Sequence, residues 1–233
     1  ERACTDGKTV WIPRTMHDDD RINEIMQEGI LAHEVAGHMR YTDFGVWNRQ
    51  VVEAIKSGEA DPMLHQFVNL LEDARINHLL SQDYKGSGKR LDFTHEVFTE
   101  KHKEQTTDES PLKQQAFVAM MTEAIEHQPH WSGRSKIIEF MDENRDLLMS
   151  GVKQTSTTTV VVQAKKLLKA FREAFDDDSE EDPDMGDVEG IEGDSMGDVS
   201  EAAQVQREQG RKAKQVSRTR FSDMKNPTES DDD

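Results

Sequence analysis

An acidic segment, residues 176–198, limits how much of this chain can fold. It holds 12 Asp and Glu residues and no Lys or Arg, and it has no aromatic residue. Because like charges repel and little apolar surface is available to bury, such a segment cannot form a packed core. The remaining residues, 199–233, balance 7 acidic against 7 basic side chains and show no apolar face. We therefore predict a folded domain over 1–175, a disordered acidic linker over 176–198 and a mobile polar tail over 199–233.

The overall charge excludes some classes of partner. Acidic residues outnumber basic ones by 47 to 29, which gives a net charge of -18. A nucleic-acid binder needs basic surface to neutralise phosphates, so we expect no nucleic-acid partner. No apolar run approaches the roughly 20 residues that span a bilayer, so we expect no membrane partner either. The single cysteine, Cys4, cannot form an internal disulfide, which favours a reducing compartment such as the cytoplasm.

Hydrophobic periodicity in the first 175 residues predicts a mainly α fold (α+β class) with a small N-terminal β element. A turn of the Asp-Gly type at 5–8 leads into a short β-like run, 9–13, which proline ends. Gly86-Ser87-Gly88 predicts a break in the chain. Apolar residues at helical spacing, with helix-start and helix-stop signals, predict helices over 21–41, 62–80, 111–126, 135–149 and 157–175.

The first long helix carries the sequence A-H-E-V-A-G-H, in which Glu34 follows His33 and His38 comes five residues after His33. Two imidazoles that hold zinc, with a glutamate that accepts a proton from the activated water, are the parts of a zincin helix. In the usual H-E-x-x-H motif the histidines are four residues apart and share a face. Five residues turn them about 140° apart on a regular α-helix. Both reach one metal only if the helix is locally widened by a π-bulge, which Gly37 would ease.

A third ligand is expected from the second helix, within N-L-L-E-D-A-R-I-N. Glu72 and Asp73 lie among apolar residues, where a carboxylate is costly unless it is paired or binds metal. We prefer Glu72 as the ligand, since its longer side chain reaches further, with Asp73 or Arg75 orienting the ligands. Asp73 stays open as the alternative ligand. A water would complete the zinc site.

A reading without metal is also available. In it the histidines are solvated on a surface helix and Glu72 pairs with Arg75. The apolar residues around the histidines, Ile30, Leu31, Val35 and Ala36, argue against this reading because they place the motif at least partly in the interior. Four other histidines lie in polar surroundings and are expected to be solvated: His95, His102, His127 and His130.

These motifs resemble two groups of proteins. H-E-x-x-G-H followed by a Glu-acid-x-Arg helix resembles the gluzincin pattern of dipeptidyl peptidase III, an alignment that would make Asp73 the ligand. T-D-G-K-x-V-W-I-P, A-H-E-V-A-G-H-M-R-Y-T-D-F and N-L-L-E-D-A-R-I-N resemble phage and bacterial cobaltochelatase CobT-like proteins, which combine a zincin-like metallopeptidase domain with a von Willebrand factor A domain. This resemblance covers about residues 1–80 and, by composition, the acidic segment. It implies the cytoplasm of a bacterial or phage-infected cell.

Two functions follow as expectations. The first is a zinc-dependent metallopeptidase acting on a peptide or protein, with His33, His38 and Glu72 holding Zn2+ and Glu34 acting as general base. The second, implied by the resemblance, is a non-catalytic CobT-like subunit with a structural metal that partners an AAA+ ATPase of the MoxR/CobS-like kind. A D-x-S-x-S motif typical of the von Willebrand module does not occur in the sequence, so a chelatase role rests on analogy alone.

Overall fold

The structure, a computed structural model, describes residues 3–106, 110–126 and 134–176. These residues are mostly helical, with a two-stranded antiparallel sheet at the start of the chain. The elements in chain order are β1 (Cys4–Thr5), β2 (Val10–Trp11), α1 (Asp20–Leu31), a π-helical segment (Ala32–His38), α2 (Met39–Tyr41), α3 (Phe44–Trp47), a second π-helical segment (Asn48–Val52), α4 (Glu53–Lys56), α5 (Leu64–Asp83), α6 (Lys85–Gln105), α7 (Leu112–Glu126), α8 (Ser135–Val152) and α9 (Thr157–Phe175).

The expected N-terminal β element is a hairpin. Thr5 pairs with Val10 and Cys4 with Trp11, and Gly7 adopts a positive φ of 79° in the turn. Asp6 stabilises that turn, because its carboxylate accepts hydrogen bonds from the backbone N–H groups of Lys8 and Thr9. Strand β1 lies against the π-helical segment, so the hairpin is placed beside the predicted site.

The main core is a helical bundle built around α5. Helices α7, α8 and α9 each pack against α5, and the chain over 46–52 closes the same core. Edge-to-face and tilted ring contacts join the aromatic residues of this core, Phe67, Phe117, Phe140, Phe171 and Phe175. The helices predicted over 111–126, 135–149 and 157–175 correspond to α7, α8 and α9 within three residues at each end.

A smaller core joins α1 to α6 through Met26, Ile30 and Phe98. Helix α6 corrects the sequence prediction of a chain break at Gly86-Ser87-Gly88, because the helix begins at Lys85 and includes all three residues. The helical backbone is interrupted earlier, at the single residue Tyr84. Helix α5 ends at Asp83, and Tyr84 leaves the helical conformation with φ -135° and ψ 77°. The low helix propensity of two glycines is outweighed by the packing of α6 on α1 and α5.

The predicted linker and tail, apart from Asp176, lie outside the described residues and stay predictions. Asp176 directly follows α9 and is exposed. None of the helices within the described residues has the length and apolar character needed to cross a membrane.

Candidate metal centre

The helix that carries the histidines is widened where they lie. Residues Ala32–His38 form a π-helix, and the backbone N–H of Met39 donates to the carbonyl of Glu34, five residues back. The predicted π-bulge is therefore confirmed. A π-helix turns only about 80° per residue, so residues five apart come within about 40° of the same face. Gly37 lets this widened segment approach α5 closely, since a Cβ there would lie 3.1 Å from Cδ1 of Ile76.

Three donor atoms converge between the π segment and α5. Oδ1 of Asp73 lies 2.9 Å from Nε2 of His38 and 3.7 Å from Nε2 of His33. The two imidazole rings meet edge to face, with their centroids 4.7 Å apart. Among the described residues, this is the one group of three His, Cys, Asp or Glu side chains whose ligand atoms all lie within 4.8 Å of one another.

Each histidine is held by its other ring nitrogen. Nδ1 of His33 lies 2.8 Å from the acceptor Oδ1 of Asn77, and Nδ1 of His38 lies 3.0 Å from Oγ1 of Thr42. An Nδ1–H that donates in this way leaves the lone pair of Nε2 directed at the centre. The Asn77 amide is itself oriented by His95, because its Nδ2 lies 3.3 Å from Nε2 of that ring.

The two adjacent carboxylates of α5 have different surroundings. Oδ2 of Asp73 accepts a hydrogen bond from Asn69 at 3.0 Å, while Oδ1 faces the histidines. The Glu72 carboxylate accepts two bonds from Arg75 and one from the Thr157 hydroxyl. The structure thus brings Asp73, the alternative ligand, to the histidines, and it does not bring Glu72, which the sequence had favoured. The preference for Glu72 rested on its longer side chain. The position of each residue around the helix decides the ligand instead, because it directs Glu72 toward Arg75 and Thr157.

Three polar atoms at the centre are buried without a hydrogen-bond partner in the part of the chain that the structure describes: Oε2 of Glu34, Nε2 of His38 and Oδ1 of Asp73. Two of these atoms, Nε2 of His38 and Oδ1 of Asp73, nevertheless lie only 2.9 Å apart. Buried polar atoms are rarely left unpaired in proteins, because each lost hydrogen bond is costly. A cation bound between Nε2 of His38 and Oδ1 of Asp73 would satisfy both of these atoms.

Burial also sets the charge state of the site. Desolvation raises the pKa of Asp73 to about 7. Desolvation and, second to it, the nearby His38 lower the pKa of His33 to about 4. Desolvation likewise lowers the pKa of His38. The histidines are thus neutral near pH 7, which is the form that binds metal, and the carboxylate is costly to ionise unless a cation lies beside it.

Glu34 lies in the same buried layer, with 2% of its surface exposed. Its pKa is raised to about 7, mainly by desolvation; the nearby His38 opposes this rise and Asp73 adds to it. A carboxyl group with that pKa accepts and releases protons readily at neutral pH. The predicted base and both predicted histidine ligands therefore come together in one place.

Sequence reasoning missed several residues around the site. Asn69 and Asn77 lie four residues before and after Asp73 on one helix face, so their spacing was a usable signal. Thr157 is distant in sequence and gave no signal.

His95, expected to be solvated, is 6% exposed in α6, and desolvation lowers its pKa to about 3. That expectation was wrong, because helix α6 itself was not predicted. The side chains of His102, His127 and His130 lie outside the description.

The chain was compared with protein-family models, with curated proteins and with solved structures, and none of them matches it. The resemblances to CobT-like proteins and to dipeptidyl peptidase III therefore rest on the motifs alone. What supports a functional assignment is the geometry of the metal centre itself.

Proposed function

We propose that this domain is a zinc-dependent peptide hydrolase of zincin-like type. His33, His38 and Asp73 hold the metal, and Glu34 is the general base. The observation that carries the proposal is the convergence of Nε2 of His38 and Oδ1 of Asp73, which are buried 2.9 Å apart. Among the described residues neither atom has a hydrogen-bond partner, and neither does Oε2 of Glu34.

The donor set fits zinc. Catalytic zinc sites use three protein ligands, commonly neutral histidines with a carboxylate, and leave a fourth position open. Zinc–ligand distances near 2.1 Å in a tetrahedron put neighbouring ligand atoms about 3.4 Å apart. The distances from Oδ1 of Asp73 to the two histidine nitrogens, 2.9 and 3.7 Å, lie on either side of this value. The same donors also suit iron(II), so metal identity belongs in the test.

The chain's own residues would divide the work as follows. Zinc, when bound, supplies Lewis-acid activation of a water and of the scissile carbonyl. Glu34 accepts the proton from that water and passes it to the leaving amine, a transfer that its pKa of about 7 permits in both directions. Asn77 and Thr42 hold the two imidazoles in the orientation that presents Nε2.

A peptide substrate is favoured by the hairpin next to the site. Strand β1 lies against the π segment, and β2 has no second partner strand within the described residues. An exposed strand edge can bind an extended peptide by adding it to the sheet. A peptide added to the free edge of β2 would extend the hairpin whose strand β1 contacts the π segment.

The test is metal content followed by hydrolysis. Untagged protein should carry about one zinc per chain by mass spectrometry of the metal, with iron and manganese measured in the same run. Zinc-loaded protein is then incubated with a library of short peptides, and the products are identified by mass spectrometry. Glu34→Gln should keep the metal and lose cleavage. Glu24→Gln, which changes an exposed glutamate of α1, is the matched control.

Two results would contradict this proposal. Cleavage that persists in Glu34→Gln would remove Glu34 from the reaction or indicate a contaminating peptidase. A chain that takes up no metal after zinc is added back would remove the centre altogether.

The second candidate is the non-catalytic CobT-like module that partners an AAA+ ATPase through a structural metal. Two observations favour it. The centre is nearly closed to solvent, with His33 and His38 each 5% exposed. The site helix also presents an apolar stripe to solvent, Leu31, Val35 and Met39, at 45%, 44% and 38% exposure, and such stripes often mark protein contacts. Metal content of about one per chain without cleavage of any peptide, together with unfolding on chelation, would favour this candidate.

A further inference from the structure

The orientation of His38 depends on Thr42, which lies in a short non-helical turn. Oγ1 of Thr42 lies 3.0 Å from Nδ1 of His38. Thr42 itself is extended, with φ -86° and ψ 127°, between the end of α2 and the start of α3. Helical hydrogen bonds therefore do not fix this residue from both sides, and its position needs support from elsewhere.

That support comes from the two residues beside Thr42. The carbonyl of Tyr41 accepts a hydrogen bond from Nη2 of Arg75 at 2.8 Å. The backbone N–H of Asp43 donates to the hydroxyl of Thr157 at 2.8 Å. The turn is thus attached to α5 on one side and to the first residue of α9 on the other.

Both attachments meet at a single carboxylate, that of Glu72. Arg75 donates to its two oxygens at 2.9 and 2.7 Å, and the Thr157 hydroxyl donates to Oε1 at 2.8 Å. We call Glu72, Arg75 and Thr157 the Glu72 network. All three residues are at most 1% exposed. Such a network is rigid, because each buried polar group needs its partner.

We propose that the Glu72 network is a positioning device for the metal centre, which holds the turn at Tyr41–Asp43 so that Thr42 directs Nε2 of His38 at the metal. This inference rests on the proposed metal centre and extends it to α9, a helix that contributes no ligand. Glu72 thereby has a role although it is not a ligand. Thr157 and Thr42 are positioning residues, since neither belongs to the group His33, His38 and Asp73 that would hold the metal.

The experiment measures Co2+ binding, because cobalt replaces zinc at such sites and its visible absorption reports the ligand geometry. Thr157→Val removes the hydroxyl that joins Asp43 to Glu72 and nearly keeps the side-chain shape. We expect Co2+ affinity to fall about tenfold, with a changed cobalt spectrum, as is usual when residues that orient metal ligands are altered. Thr157→Ser keeps the hydroxyl and should restore both the affinity and the spectrum.

The matched control is Thr122→Val, which removes another buried hydroxyl, one that donates to Val118 in its own helix. It should cost some stability and leave the Co2+ affinity and spectrum unchanged. If Thr157→Val does not fold, as judged by circular dichroism, Thr157→Ala removes the same hydroxyl and replaces it in every comparison.

A double-mutant cycle tests whether Thr157 acts through Thr42. Thr42→Val alone should weaken Co2+ binding, and adding Thr157→Val should weaken it little further, because the second change acts only by way of the first. Wild-type affinity and spectrum in Thr157→Val, or fully additive losses in the double variant, would overturn the inference while leaving the metal centre intact. A wild-type chain that binds no Co2+ would overturn the metal centre and the positioning together.

Discussion

Helix α5 is buried on two faces that differ in chemistry. On one face Phe67, Leu71 and Ala74 pack into the apolar core of the bundle, each with at most 3% of its surface exposed. On the other face, Asn69 and Asp73 are also buried, but Asn69 donates a hydrogen bond to Asp73, and Oδ1 of Asp73 faces the histidines of the π segment. The two faces use the same backbone and similar burial, so only the side chains distinguish them.

The difference shows which face stabilises the fold and which one serves the site. Burying apolar side chains is favourable at about 25 cal/mol per Å². Burying a carboxylate and two imidazoles is unfavourable, as the raised pKa of Asp73 and the lowered pKa of His33 both indicate. The polar face is therefore maintained at the expense of the stability that the apolar face provides, and a bound cation would offset this cost.

The largest expected effect is on metal binding, from changes to the two neighbouring carboxylates. Asp73→Asn should abolish binding, because it removes the charged ligand that faces both histidines. Glu72→Gln should keep the metal with reduced affinity, since Glu72 acts only through its network. Metal mass spectrometry after gel filtration measures both variants. Metal retained in Asp73→Asn and lost in Glu72→Gln would make Glu72 the ligand, as first expected from the sequence.

The next effect is on folding, from breaking the buried Glu72–Arg75 ion pair of α5. Arg75→Met leaves Glu72 buried without its two strongest hydrogen bonds. We expect the free energy of unfolding to fall by about 3–5 kcal/mol. Urea denaturation in the presence of a chelator measures this without a metal contribution. The double variant Arg75→Met with Glu72→Leu should recover part of the loss, and a double variant that is less stable than Arg75→Met would contradict the explanation.

On the apolar face, Leu71→Ala should lower the free energy of unfolding by about 3 kcal/mol through the cavity it leaves beside Gly151. Metal content should stay at the wild-type value, because Leu71 faces away from the histidines. Leu31→Ala, at a position 45% exposed on α1, is the control and should change stability by less than about 0.5 kcal/mol. Loss of metal from Leu71→Ala would mean that the two faces are not separable.

The sequence was sufficient for the parts of this arrangement that are local. Helical spacing gave the helices of the bundle, and the five-residue separation of His33 and His38 required the π segment that the structure contains. The choice between Glu72 and Asp73 depended on where α5 lies against α9, because Thr157 is 85 residues from Glu72. The burial of His95 depended on the packing of α6 against α1 and α5. No local pattern contains that information, so histidine environments were the least predictable feature.

His65 offers the smallest predicted effect and tests burial at a histidine outside the metal centre. It packs edge to face on Trp47, and desolvation lowers its pKa to about 4 from 6.5. As the pH falls, the His65 imidazole takes up a proton near pH 6.5 in the unfolded chain but only near pH 4 in the folded chain. Stability from neutral His65 is thus complete above pH 6.5 and is lost as the pH falls from 6.5 through 4.

His65→Gln removes the titrating group and should therefore flatten the acid side of the stability profile. Between pH 7 and pH 5 the free energy of unfolding of the wild type should fall by about 2 kcal/mol more than that of the variant. Urea denaturation of metal-free protein at both pH values measures the difference. Other buried histidines, such as His95, titrate in both proteins and cancel in the comparison. Equal slopes in the two proteins would mean that His65 takes up its proton at an ordinary pKa and that water reaches it in the folded state.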